Sequence, residues 1–198
     1  MFKPQARILG VDDSPHLKGK TKKVLVVGVL FRGGEYLDYL TSTFVKLDGL
    51  DATKKLIKMI SRCRAKESLQ AIMLDGIALG GFNVIDIQEV YKKTKLPVLI
   101  ITRKKPNFSA IRKALNHFKD GRKRWLIIQK AGSVKEFVIK NKNLVKPIKI
   151  YYQCSGLTDR EVQNLLKISI THSAIPEPIR VAHIIGQGIV LGESRGRA

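Results

Sequence analysis

The apolar residues of this chain gather in short continuous runs separated by polar turns. Ile8 to Val11, Val24 to Arg32, Ala71 to Leu74 and Pro97 to Thr102 each have the pattern of a strand buried on both faces. Gly33-Gly34 fits a two-residue hairpin turn, whose central positions both need positive φ. The second run therefore turns back into a third strand over Glu35 to about Lys46, which alternates loosely. Helical spacing follows. Ala52, Leu56, Met59, Ile60 and Cys63 share one face over 52–64, and Val84, Ile87, Val90 and Tyr91 share a second after Asn83, an N-cap residue with Asp86 three positions on. Ala110, Ile111, Ala114, Leu115 and Phe118 form a third stripe.

Read in order, the first 120 residues give three strands in a meander, then helix, strand, helix, strand, helix. A meander pairs antiparallel, whereas strands joined by helical crossovers lie parallel. The expected fold is α/β, a mixed five-stranded sheet flanked by helices. Trp125 to Gln129, Val134 to Ile139 and Ile148 to Gln153 read as short strands, a small β insertion around residues 122–153 within one domain spanning 1–198. Thr158 and Glu161 make a capping box for a helix to Thr171, and Pro176-Glu177-Pro178 opens a last helix from about Ile179 to Leu191.

Charge narrows the class of partner. Lys and Arg number 37 against 16 Asp and Glu, a net charge of +21, too lopsided for a surface of balanced ion pairs. Clusters stand at Lys18 to Lys23, Arg103 to Lys105, Arg122 to Arg124 and in the tail Ser194 to Ala198. Such a field favours polyanions, and DNA or RNA is the expected partner. No apolar run approaches the roughly 20 residues of a membrane span. The N-terminus lacks the apolar core of a signal peptide. Two distant cysteines, Cys63 and Cys154, offer neither a disulfide framework nor a metal-binding spacing. A cytoplasmic protein is expected.

Against that basic background the carboxylates stand out. Asp12 and Asp75 both sit at the C-terminal ends of apolar strands that the topology makes parallel, where open α/β sheets place their ligand sites. Two acids side by side repel unless one is protonated or a cation lies between them. Mg²⁺ (or Mn²⁺) held by carboxylates and touching substrate phosphate would supply phosphodiester cleavage. Asp48 is the better third ligand. Asp51 and Asp86 suit helix caps, although Asp51 can assist, and Asp13 should point to the opposite face of the sheet from Asp12. Arg180, His183 and Gln187 form a polar stripe on the last helix, with Ile179, Ala182, Ile185 and Ile189 opposite. Arg180 suits a phosphate, and His183 suits a proton carrier or hydrogen-bond donor. Gly76, Gly80 and Gly81, followed by Asn83, let backbone approach a phosphate or base, and Arg103, Lys104 and Lys105 extend the phosphate-binding candidates. No Walker loop, serine elbow or Cys/His zinc spacing is present.

The segments Gly10 to Asp13, Val45 to Thr53, Gly80 to Asp86 and Pro176 to His183 together resemble an archaeal family called domain of unknown function 99, over nearly the whole length. That family is regarded as a distant relative of endonuclease V. The resemblance implies a ribonuclease-H-like fold and Mg²⁺-dependent cutting of nucleic acid near deaminated purines. Within it Gly10-Val11-Asp12 matches the first-strand aspartate motif, and Asp75-Gly76 the second. Pro176 to His183 is similar to the closing Pro-x-x-x-Arg-x-Ala-[His/Asp] segment. The Pro-Tyr-x-Pro-Gly wedge has no counterpart, and Ile77 to Gly81 stands in place of a histidine-rich loop. The glutamate after the third strand is missing, leaving its role to Asp48 or Asp51. The expected function is a divalent-metal nuclease acting on DNA or RNA, with a non-catalytic nucleic-acid-binding protein of the same fold as the rival. A nucleotide-binding module built on residues 76–83 is a third reading.

Overall fold

In the computed structural model the chain is described over residues 1–16, 22–139, 147–171 and 173–195. Lys18, Lys20 and Arg197 of the basic clusters lie outside the described residues. Strand β1, Arg7–Asp13, is buried along its middle because it is covered on both faces. Its neighbours are β2, Lys23–Arg32, which is antiparallel to it, and β4, Ala71–Asp75, which is parallel. β3, Tyr36–Lys46, pairs antiparallel with the far side of β2, and β5, Val98–Thr102, runs parallel to β4.

The sheet has seven strands in the order β3-β2-β1-β4-β5-β7-β6, not five. The two additional strands are β6, Lys135–Ile139, and β7, Ile148–Ser155. They do not form a separate insertion. β7 pairs antiparallel with the open edge of β5, so that β6 becomes the outer strand on that side. β7 also buries Ile150 and Tyr152 with Leu99 and Ile101 of β5, which a detached hairpin could not do.

Trp125 to Gln129 is the second departure. It lies inside helix α4, Gly121–Lys130, rather than in a strand. The inward positions of α4 are Gly121, Arg124 and Ile128. An arginine stands where the helical period calls for an apolar residue, so the stripe is invisible to a hydrophobicity pattern. Arg124 is tolerated there because it is fully engaged. It donates from Nε and Nη2 to Asp120, from Nη1 to the carbonyls of Gly49 and Phe82, and from Nη2 to the carbonyl of Asp48.

Helices cover both faces. One face packs Leu9, Val11, Ile72, Leu74 and Ile100 against α1, Ala52–Ser61, and α2, Ile87–Thr94. The opposite face packs Ile8, Met73, Leu99 and Ile101 against α5, Asp159–Ser169, and α6, Glu177–Leu191. α3, Phe108–Leu115, and α4 pack on the segment between β4 and α2. Asp86, not Asn83, caps α2, accepting from the Glu89 N–H. The Thr158/Glu161 capping box opens α5. Among the described residues no helix is long and apolar enough to cross a membrane.

α6 approaches β1 at glycine. A Cβ built on Gly10 would lie 2.2 Å from the backbone carbonyl carbon of Pro178, well inside van der Waals contact. Further along, Gly186 lies over Ser14. α6 thus rides along β1 in the same direction, and its middle comes to rest above the end of that strand. Gly10→Ala should force the two apart and cost about 1–3 kcal/mol or more. Urea denaturation followed by far-UV circular dichroism checks it, and an unchanged midpoint would mean that α6 is not seated on Gly10.

Candidate metal centre

Register brings the two aspartates together. β1 and β4 pair Gly10 with Met73 and Val11 with Leu74, so Asp12 and Asp75, one residue further on, end adjacent parallel strands. Adjacent strands lie about 4.8 Å apart. Alternation sends both side chains to the face that carries α6, and sends Asp13 to the other face, where its Oδ2 accepts from the Gly80 N–H. From α6, His183 reaches down over the strand ends. Its Nδ1 lies 2.7 Å from Asp12 Oδ2, while Asp12 Oδ1 accepts from the Asp13 N–H.

A chain of contacts behind His183 holds the ring. Gln187 Nε2 lies 2.9 Å from His183 Nε2, and Gln187 Oε1 accepts from the Arg195 N–H. With the amide oxygen taken, the NH₂ group faces the ring. Nε2 is then an acceptor and Nδ1 donates to Asp12. Asp12 draws the His183 pKa upward through this hydrogen bond, whereas an NH₂ at Nε2 suits only the neutral ring. The contact geometry favours the neutral form, with the proton on Nδ1.

The carboxyls are electrostatically loaded. Burial pushes Asp12 up, and the charge of Asp75 adds to it. Burial likewise raises Asp75, partly offset by the charge of Arg103 nearby. Asp13 is raised to about 6, by burial and by Asp12 beside it. One ligand atom each from Asp12, Asp75 and His183 lies within 4.8 Å of the other two. A divalent cation bonded at about 2.1 Å holds its ligands within about 4.2 Å of one another, so small side-chain adjustments would complete the set. The cation would also remove the repulsion that raises the carboxyls. Two oxygens and an imidazole nitrogen fit Mn²⁺ at least as well as Mg²⁺.

The other sequence candidates divide sharply. Asp48 and Asp51 stand outside this group. Asp48 Oδ1 accepts from the Phe82 N–H, and Asp51 Oδ1 accepts from the Lys46 N–H and from Asn83 Nδ2. Asn83 is fully buried, donates to the Lys46 carbonyl and accepts from the Ala52 N–H. A Cβ on Gly81 would lie 2.3 Å from Asp48 Oδ1. Together with Arg124 these residues lock the β3–α1 turn to the segment after β4. Gly76, by contrast, has open space around it next to Asp75. Arg103 is exposed and near enough to Asp75 to lower it, and Lys104 and Lys105 are exposed beside it. Arg180 is committed to Glu177, donating from Nε and Nη2 to its Oε2 at 2.8 and 2.6 Å.

Three contributors escaped the sequence reading. The buried Glu177 looked like a helix-start residue, and Arg124 like part of a basic run. Asp13 was set aside by strand alternation, which places its side chain correctly but does not remove its charge from the site.

The family described as Endonuclease dU matches residues 4–190. The chain belongs to that family. A relative called UPF0215 protein from Methanosarcina mazei is 48% identical, over 99% of this chain and 96% of its own length. The crystal structure of a protein of unknown function from Archaeoglobus fulgidus is 37% identical with a TM-score of 0.80, covering 93% of this chain and 98% of that one. Endonuclease V of Ciona intestinalis was solved in complex with a 24mer DNA containing an inosine followed by a ribo-adenosine. It shares the fold at a TM-score of 0.56 and 17% identity, over 89% of this chain and 82% of that one. The chain therefore has an endonuclease V-like fold.

The raised carboxyls carry a prediction for the metal-free protein. An acid whose folded pKa exceeds its unfolded one stabilises the fold at low pH and loses that contribution as pH rises through the folded value. For Asp13 the window runs from 3.8 to about 6. Without metal, stability should fall as pH rises through this window. Asp75→Asn should raise the melting temperature at neutral pH by about 2–4 °C, the shift expected from roughly 1 kcal/mol in a chain of this size. It should also abolish stabilisation by added Mn²⁺. Thermal melts in chelator and in Mn²⁺ test both points, and a lower melting temperature for the chelated variant would mean that no repulsion is stored at Asp75.

Proposed function

We propose that this chain is a divalent-metal-dependent nuclease that hydrolyses phosphodiester bonds in DNA or RNA. The observation that carries the reading is the convergence of Asp12, Asp75 and His183 at the C-terminal ends of two parallel strands, on a protein of net charge +21. Asp12 and Asp75 would hold the cation, with His183 as third ligand. When bound, the cation would polarise the scissile phosphate and lower the pKa of a water. The chain's own groups do the rest. Gly76 leaves room beside Asp75 for a phosphate, and Arg103 at the rim fits its oxygens. Gln187 fixes the orientation of the His183 ring through Nε2. Arg180 acts through Glu177 on the seating of α6, not on the phosphate.

The substrate reading comes from the relatives. The family's description makes deoxyuridine the first base to test, and the inosine in the endonuclease V complex makes deoxyinosine the second. Both are deamination products. Support for nucleic acid as partner comes also from the charge, which favours phosphate backbones irrespective of base.

The experiment is cleavage of end-labelled single- and double-stranded DNA and RNA, each carrying uracil, hypoxanthine or neither, in Mn²⁺, Mg²⁺ or excess chelator. Cutting should require metal. Asp12→Asn and Asp75→Asn should each lose about a thousandfold or more in rate, the several kcal/mol a catalytic cation supplies. His183→Ala should lose about a hundredfold. Asp48→Asn should lower the melting temperature yet cut at close to the wild-type rate. Retained cutting by Asp75→Asn would remove the proposed centre, and salt-dependent binding with no cutting in any metal would leave a nucleic-acid-binding protein of the same fold.

A further inference from the structure

α3 and α4 form a surface that the metal centre does not use. Between residues 103 and 130 the chain carries ten Lys and Arg against a single acid, Asp120, which Arg124 already engages. Set into this basic stretch is an aromatic pair. The rings of Phe108 and Trp125 meet edge to face with centroids 6.1 Å apart, and the Arg112 guanidinium lies 5.8 Å from the Trp125 centroid. An open cleft of about 430 Å³ lies against them, lined also by Ser109, Arg112, Lys113 and Asn116. A second cleft of about 310 Å³ shares the same two aromatics and is floored by Ile128. No carboxylate lines either one. Phe108 is 37% exposed, although a phenyl ring at a helix start could have been buried or replaced at no cost to the helix.

The cleft stands at the catalytic end of the sheet. Phe108 follows Arg103 by five residues, so their Cα atoms are at most about 18 Å apart. Arg103 in turn lies beside Asp75. Trp125 and Ile111 share a hydrophobic cluster with Ile77 and Ala78, which follow Asp75 by two and three residues. The α3–α4 pair is fixed to this end by Arg124 and cannot drift from it.

Aromatic faces set among cations are what single-stranded nucleic acid binds, because every base has a face to stack and every phosphate a charge to neutralise. We propose that the Phe108–Trp125 cleft stacks an unpaired base of the strand whose backbone enters the Asp12–Asp75 centre, with Arg112 and Lys113 on its phosphates. This extends the nuclease reading and rests on it for the identity of the strand. It gives the enzyme a second grip, away from the scissile bond, that requires an unstacked base.

Trp125 is the sole tryptophan of the chain, so its fluorescence reports on this cleft alone. The measurement is a titration of the full-length Asp75→Asn protein in chelator, where nothing is cut, with oligothymidylate and with an abasic strand of equal length and charge. Oligothymidylate should quench the emission saturably, and the abasic strand should quench it several-fold less. In anisotropy with a labelled thymidylate strand, Trp125→Ala and Phe108→Ala should each weaken binding about tenfold, while Trp125→Phe, which keeps a stacking ring, should bind within about threefold of the parent. Because Phe108 is half-exposed, its alanine variant guards against misfolding of the tryptophan one. Equal quenching by the abasic strand would overturn the proposal, as would unaltered affinity in both alanine variants. Either result leaves metal-dependent cutting by the wild type untouched. Failure of all strands to bind would remove the nuclease reading and the stacking site together.

Discussion

Two carboxylates buried side by side at the ends of β1 and β4 set the terms for the rest of this molecule. Their adjacency is not adjustable, because it follows from the hydrogen-bonded register of the two strands. Burial raises both, the charge of Asp75 adds to Asp12, and the fold tolerates the cost by surrounding them with partners of the opposite kind. His183 comes from α6, Arg103 from just beyond β5, and a backbone N–H from Asp13. The approach of α6 depends in turn on the absent side chain of Gly10. A strand that carried alanine there would hold its helix too far away for an imidazole to reach Asp12 at hydrogen-bonding distance.

The remaining aspartates of the first half do different work. Asp48 and Asp51 spend their oxygens on N–H groups of Lys46, Phe82 and Asn83, and Arg124 closes the arrangement from α4. Each is a charge-assisted bond, two of them across more than 30 residues of sequence, and such bonds are stronger than neutral ones. Removing one partner would strand the other in a poorly solvated place, at about 1–3 kcal/mol. This cross-bracing keeps the segment after β4 in place, so that Gly76 stays open beside Asp75 while Gly81, four residues on from Ile77, is packed tight. The same residue type thus serves opposite ends within one site. Where acids face each other they create a demand for a cation, and where they face amides they satisfy one.

Much of this was legible from pattern alone. The buried strands, the helix stripes and the placement of Asp12 and Asp75 follow from periodicity and connection rules, which act locally, whereas the meander turn at Gly33-Gly34 takes three residues rather than two, with only Gly33 of the two glycines at positive φ. What escaped was decided by distant partners. β6 and β7 read as strands, but only the exposed edge of β5 makes them part of the main sheet. α4 reads as a strand because its central inward position is an arginine whose carbonyl acceptors lie more than 40 residues away in sequence. Asn83 has the chemistry of a cap, but a fully buried amide was needed to join β3 to α1, and the cap fell to Asp86. On α6 the polar stripe was correctly seen, yet it turns toward β1 while Ile189 is left 63% exposed, because the helix runs out past the end of the strand it covers.

Charge distribution links these pieces to function. A protein with an excess of 21 positive charges should repel cations, and yet it sets two acids, Asp12 and Asp75, side by side in a poorly solvated place. A metal ion there would be held by local ligands against the overall field, and a polyanion lying across the surface would supply the opposing sign. Nucleic acid and cation would then favour each other: phosphate screens the basic rim, and the cation gives the phosphate a counter-charge at the one place where the protein offers only carboxylate. The consequence is a reciprocal coupling, in which each ligand tightens the binding of the other by the same factor. A neutral or acidic protein with the same two aspartates would hold a cation well without a polyanion, whereas at a net charge of +21 a bound polyanion would strengthen that hold.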